Sequence, residues 1–249
     1  MSQSKKPAAP DIFAAYEPEA PVATEFRRLF VRIKRLGGDE GAHSVMITSA
    51  RRGEGKTTAA AQLALTAALH GNRKVVLVDV DLRRPRIHSV TGLEQRPGLT
   101  EVLRWQSTLD AALRDTPLPN LKVLPSGKVL NSPSALLESP RLKEMLDELK
   151  ARFDFLVLDA PPVIPVTDPM VLAPLVDVTL LVVMAGETPR AVVQRAKALL
   201  EDADARKLGV VVNNVDEVLP YYYDYRYYGY GYESNVSPAE GPADGRETR

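Results

Sequence analysis

Short, nearly unbroken apolar runs of strand length recur along this chain, at 75–78, 121–124, 155–158, 178–183 and 208–212. A run without polar alternation marks a strand buried on both faces, as in parallel sheets. Helical patterns lie between these runs, clearest at 140–151 and 189–202. Strands alternating with helices predict a doubly wound α/β fold, its largely parallel sheet covered by helices on both faces. A length of 249 residues suits one such domain. Its 45% hydrophobic and 26% charged residues are those of an ordinary globular protein. Lys+Arg and Asp+Glu stand equal at 32 each, so no charge excess argues for nucleic acid as a partner. The absence of Cys excludes disulfides, thiol catalysis and zinc-thiolate sites. No apolar run approaches the roughly 18 residues of a membrane span; the best, 171–184, is broken by Pro174 and Asp177. Lys5 and Lys6 precede no apolar core, so no signal peptide is expected.

One corner carries specific chemistry. Val45-Met46-Ile47 enters a turn, Ser49-Ala50-Arg51-Arg52-Gly53-Glu54-Gly55, and Lys56-Thr57-Thr58 opens an alanine-rich helix. From Arg51 onward this fits the phosphate-loop pattern G-x-x-x-x-G-K-[ST], with Ala50 at the first Gly position. Gly53 and Gly55 let backbone N–H groups crowd round an anion, and the helix N-terminus adds partial positive charge. Lys56 then reaches β- and γ-phosphates, and the Thr57 hydroxyl can ligate Mg²⁺.

Two other strands end in carboxylates: Val76-Leu77-Val78-Asp79-Val80-Asp81, and Leu156-Val157-Leu158-Asp159-Ala160-Pro161-Pro162. Ligands of open parallel sheets sit beyond the carboxyl ends of the strands. Three carboxylates beside a polyphosphate repel it unless a divalent cation intervenes, and Mg²⁺ with retained waters suits oxygen donors. Any one of these Asp residues could instead be a turn or cap residue; their convergence favours nucleotide–Mg²⁺ binding.

Three regions flank this core. Residues 1–19 hold Pro7, Pro10 and Pro18 with few large apolar groups, and are expected to be a disordered lead. The folded domain is then expected at 20–219, opened by a helix with Phe26, Leu29, Phe30, Ile33 and Leu36 at helical spacing. Its many Arg and Lys side chains are either a solvated face or a docking surface for another protomer or an anionic surface. A tail at 220–249 concentrates eight of the nine tyrosines within 221–232, where neither a helix nor a strand period holds.

With these residues in hand the chain resembles the bacterial tyrosine kinases of capsule and exopolysaccharide systems, relatives of the MinD and ParA deviant Walker ATPases. Residues 53–57 are similar to that family's Walker A, Asp79-Val80-Asp81-Leu82-Arg83-Arg84-Pro85 to its Walker A′, and Asp159-Ala160-Pro161-Pro162 to its Walker B. The tyrosine run is similar to its autophosphorylation tail. The resemblance spans about residues 25–232. It implies a P-loop protein-tyrosine kinase that uses ATP and Mg²⁺ and regulates exopolysaccharide or capsule synthesis or export. Phosphoacceptors would be Tyr221, Tyr222, Tyr223, Tyr225, Tyr227, Tyr228, Tyr230 and Tyr232.

By the same resemblance Gly53, Glu54, Gly55, Lys56, Thr57 and Thr58 hold nucleotide, and Thr57, Asp81 and Asp159 hold the metal. Tyrosine's pKa of about 10 calls for a base beside the acceptor. Asp79 is the candidate, with Asp81 nearer the metal, though the pattern leaves the two open. Arg83 either neutralises transferred charge or pairs with a carboxylate. Asn213 either reads the adenine edge, as its counterpart does in relatives, or is a strand-end turn residue. Added phosphates are expected to drive the tail from a site lined by Asp79, Asp81 and Asp159.

Departures from the family pattern are local. The oligomerisation motif E-x-x-R-x-x-R keeps Glu25 and Arg28 but has Val31 third, with Arg32 one residue on, which bears on the family's ring-shaped oligomer. Asn131-Ser132-Pro133 stands where Pro-Asn-Pro is frequent, with Ala135 for Glu. Many members fuse the kinase to a two-span membrane activator. This chain resembles the split form, cytoplasmic and recruited to the inner face of the membrane by a separate activator of the polysaccharide co-polymerase type. A homo-oligomer and a cognate phosphatase are implied as well. The alternatives are a ParA/MinD-like positioning ATPase, which has no use for the tyrosines, and a non-catalytic scaffold with a sticky tail.

Overall fold

The computed structural model describes residues 11–36 and 41–215. Helix α1 (Pro21–Leu36) precedes β1 (Ser44–Ser49), which runs through the phosphate loop into α2 (Lys56–His70) and on to β2 (Val75–Asp79). The long segment that follows forms short elements: α3 (Ile87–Thr91), α4 (Leu99–Leu103), α5 (Leu109–Ala112), the two-residue β3 (Arg114–Asp115), β4 (Leu121–Leu124) and α6 (Ser134–Leu137). Regular alternation resumes with α7 (Pro140–Arg152), β5 (Phe155–Asp159), α8 (Asp168–Leu172), β6 (Val178–Met184), α9 (Arg190–Asp202) and β7 (Leu208–Asn213).

The seven strands lie in the order β3-β4-β2-β5-β1-β6-β7. Every pairing is parallel except β3 with β4. The expected doubly wound sheet is therefore present, with one short antiparallel edge that the pattern did not announce. Two residues carry no readable period. Winding from β1 runs outward to β2 and β4 on one side, and from β5 back across β1 to β6 and β7 on the other. The switch falls at the neighbours β1 and β5, where open α/β sheets bind ligands.

Alternate side chains explain the unbroken apolar runs. On β2, Val75 and Leu77 enter a core under α1 and α2, while Val76 and Val78 enter a second core with Leu142, Met145 and Leu149 of α7. Both faces of each inner strand are thus covered, so neither tolerates polar residues. Alanines at 59, 60, 61, 64, 67 and 68 let α2 lie close to the sheet, and its chain ends at Gly71, whose N–H donates to Ala67 O at 3.0 Å. Strand β7 differs: none of its residues is buried, and Val210 and Val212 are half exposed along the edge.

Within the expected lead, residues 11–19 lie against the domain. Ile12 is buried in the α1/α2 core, its N–H donating to Val90 O at 2.9 Å, and the Tyr16 hydroxyl lies 3.3 Å from His70 Nε2. Prolines and small residues obscured one apolar anchor large enough to hold the arm. Ile12→Ala is expected to lower stability by about 2 kcal/mol in urea denaturation; a change within about 0.5 kcal/mol would mean the arm is not anchored there. The tyrosine-rich run lies outside the described residues.

Candidate active site

The carboxyl ends of β1, β2 and β5 meet at one point. Strand register pairs Asp79 with Asp159 and Ile47 with Asp159. Loop contacts then lock the ends: Ala160 N–H donates to Ile47 O, Val163 N–H to Ser49 O, and the Thr48 hydroxyl to Pro161 O at 2.6 Å. Lys56 Nζ stands 3.1 Å from Asp159 Oδ1 and 3.1 Å from Asp81 Oδ2. It also lies 3.4 Å from Thr57 Oγ1, which donates to Asp159 Oδ2 at 2.8 Å.

Three oxygen-bearing side chains therefore converge on one cation, the Lys56 ammonium. That ammonium stands in for a hard cation, and the donor set suits Mg²⁺: a hydroxyl, two carboxylates and no nitrogen or sulfur. Among the described residues no group of three His, Cys, Asp or Glu side chains could hold a metal. An ion held by Thr57, Asp81 and Asp159 would complete its coordination with water and phosphate oxygens.

Charge is managed by burial and pairing. Burial, and then the charge of Asp159, push the Asp79 carboxyl well above its ordinary range. Its Oδ2 accepts N–H bonds from Arg86 at 3.1 Å and Ile87 at 3.0 Å, its Oδ1 one from Asp81 at 3.2 Å. Burial also raises Asp159, although the Lys56 charge opposes it. For Lys56, burial works against the charged form, but Asp159 and Asp81 outweigh it and the pKa rises.

A family model described as an AAA domain matches residues 42–186. The tyrosine-protein kinase YwqD of Bacillus subtilis (strain 168) is 36% identical over 219 residues, covering 88% of this chain and 91% of that protein. This chain belongs to the bacterial tyrosine kinases. Among solved structures, the kinase domain of the Escherichia coli tyrosine kinase ETK matches with a TM-score of 0.77 at 26% identity, over 86% of this chain and 82% of that one. The septum site-determining protein MinD of Pyrococcus horikoshii OT3, complexed with Mg-ADP, matches with 0.57 at 26%, over 68% and 69%. The kinase thus shares its fold with the P-loop nucleotide-binding proteins.

Several expected site residues take more specific places in the kinase. Gly53 and Gly55 have φ of 86° and 91°, the left-handed region that glycine favours. A Cβ on Gly55 would come within 2.2 Å of Asn213 Nδ2, which itself donates to Glu54 O at 3.1 Å. The end of β7 thus bears directly on the loop, whichever edge Asn213 reads. Gly55→Ala is expected to lower nucleotide affinity at least about 10-fold, from strain of roughly 1–3 kcal/mol. Titration with a fluorescent ATP analogue would show it, and unchanged affinity would contradict this loop geometry.

Glu54 braces the loop through its side chain. It is buried, accepting from Arg51 N–H at 2.6 Å and from the Thr188 hydroxyl at 2.5 Å. Thr188 had no sequence signal, because it lies 134 residues away in the chain. Thr58 is exposed on the first turn of α2.

Arg83 takes the second of its two expected places, pairing with a carboxylate. Its guanidinium forks onto Asp168, Nε at 2.8 Å and Nη2 at 3.1 Å, and also donates to Asn131 O and Ser134 Oγ. Asp168 is fully buried, so Arg83 neutralises it and ties the loop after β2 to α6 and α8. Hydrogen bonding to Asp168 is the main reason the Arg83 pKa rises. Arg83→Met leaves a buried carboxylate unpaired, and is expected to cost about 3 kcal/mol in urea denaturation. The Arg83→Met/Asp168→Leu pair should recover most of that; no recovery would mean the pair is not the source of the loss.

Proposed function

We propose that this chain is an ATP- and Mg²⁺-dependent protein-tyrosine kinase that phosphorylates the cluster at 221–232 and thereby regulates exopolysaccharide or capsule synthesis. The convergence of Lys56, Thr57, Asp81 and Asp159 carries the reading, because that set suits a polyphosphate with its cation. The bound metal would neutralise charge between the β- and γ-phosphates. Thr57, Asp81 and Asp159 would hold it, while Lys56 turns from the carboxylates to the phosphates. Amides of Gly53 to Thr58 would line the phosphates, and Asn213 would lie at the base.

Asp79 is the proposed base. Its raised proton affinity suits a group that takes the phenolic proton as the tyrosine oxygen bonds to the γ-phosphorus and ADP departs. Partners proposed with this function are a separate membrane activator, further copies of the chain and a phosphatase. Among the described residues no helix is long and apolar enough to cross a membrane. Self-association would use α1, where Glu25 and Arg28 pair with each other and Val31 is exposed. The domain limits 20–219 and the tail 220–249 are part of the proposal, with the arm from residue 11 added to the folded part.

The test is incubation of the purified chain with Mg²⁺-ATP, read for phosphotyrosine and for free phosphate. Phosphotyrosine on 221–232 is expected. Free phosphate without it would mean a positioning ATPase, and neither product, even with the activator's cytoplasmic segment, would mean a scaffold.

A further inference from the structure

The rim of the site is cationic, although its floor is acidic. Asp79 and Asp159 are fully buried and Asp81 nearly so. Their oxygens are taken up by Lys56, by Thr57 and by backbone N–H groups. Above them Arg51, Arg52, Arg84 and Arg86 are all exposed. None of these four side chains makes a hydrogen bond or ion pair among the described residues, in contrast to Arg83 beside them.

Their backbones fix where they stand. Arg51 N–H is held by Glu54, Arg84 N–H by Asp81 Oδ1 at 3.0 Å, and Arg86 N–H by Asp79 Oδ2 at 3.1 Å. The two loops follow β1 and β2, which are separated only by β5, about 10 Å apart. Four exposed arginines with unpaired side chains thus stand in the two loops beside one site, and a chain with no net charge overall must carry the balance elsewhere. Residues 216–249 hold seven carboxylates and three arginines, with Asp224 and Glu233 within and beside the tyrosine run.

We propose that Arg51, Arg52, Arg84 and Arg86 form a collar that docks the acidic tyrosine-rich segment of a kinase chain and selects tyrosines flanked by carboxylates. This rests on the kinase reading above. Arginine's planar fork suits carboxylates first and the phosphates of the product afterwards. Phosphorylation therefore tightens the hold of the tail on the rim. This hold opposes the repulsion expected from Asp79, Asp81 and Asp159, which lie buried beneath the arginines.

The test uses full-length kinase with the eight cluster tyrosines replaced by Phe, so that its own tail cannot compete as substrate. The probes are a synthetic peptide of residues 221–233 and the same peptide with Asp224→Asn and Glu233→Gln. The neutralised peptide is expected to show a KM at least about 5-fold higher, a difference that fades as salt shortens the Debye length. Arg86→Gln should narrow the difference while the KM for ATP holds. Phosphorylated 221–233 peptide should inhibit with a Ki below the KM of the unphosphorylated one. Equal KM values for the two peptides would overturn the collar and leave the kinase reading intact. A rise in the KM for ATP alone would assign these arginines to nucleotide and overturn it as well. Phosphate on neither peptide would instead contradict the kinase reading itself.

Discussion

Lys56→Met is expected to cut tyrosine phosphorylation about 10³-fold, the scale of removing one preorganised charge-stabilising donor from a transition state. Without nucleotide the same ammonium sits between Asp81 and Asp159, with only 12% of its side chain exposed. Its removal should therefore also lower the stability of the nucleotide-free protein, by about 3 kcal/mol, since Asp159 is left buried without its partner. The ion pairs make this lysine a structural residue until phosphate arrives. Mg²⁺ added to the variant should recover part of the loss, because Asp81, Asp159 and Thr57 gain a replacement cation. Parallel urea titrations with and without Mg²⁺, beside an anti-phosphotyrosine assay, check both halves. Retained activity would refute the assignment of the loop, and an unchanged urea midpoint would refute the ion-pair account.

Asp79→Asn is expected to lower turnover by roughly 10² to 10⁴-fold, the usual worth of a positioned base. Near-normal turnover with only a raised Mg²⁺ requirement would make Asp79 a metal ligand instead. Its titration adds a second readout. The folded-state pKa lies above the ordinary 3.8, so the folded form binds the proton more tightly than the unfolded chain does. The stability this contributes is present in full below about 3.8 and is lost as pH rises through the folded value. Asp159 acts in the same direction. Asp79→Ala should thus flatten the decline of stability with rising pH above about 4. An unaltered profile would mean that Asp79 is not buried in its charged form.

The sheet was legible because its strands are buried on both faces, and such runs leave an unbroken apolar signature at 75–78 and 155–158. The loop was legible because phosphate chemistry dictates Gly53, Gly55 and Lys56 in sequence. Contacts between distant segments left no such mark. Thr188 reaches Glu54, Asn213 roofs Gly55, and Asp168 claims Arg83 through a fork no local pattern announces. The anchor at Ile12 was hidden by its proline-rich surroundings. The difference between a buried acidic floor and an exposed basic rim required burial to be known residue by residue, since Asp81, Arg84 and Arg86 follow one another in the loop after β2.

Phosphoryl transfer to the tyrosine cluster is expected to run from one chain to another, and one mixture tests it directly. Lys56→Met protein with an intact tail is incubated with Mg²⁺-ATP and active kinase whose eight cluster tyrosines are Phe. Phosphotyrosine is expected on the 221–232 segment of the inactive partner, read by mass spectrometry. Self-labelling of the intact wild-type chain, with no label in this mixture, would contradict transfer between chains.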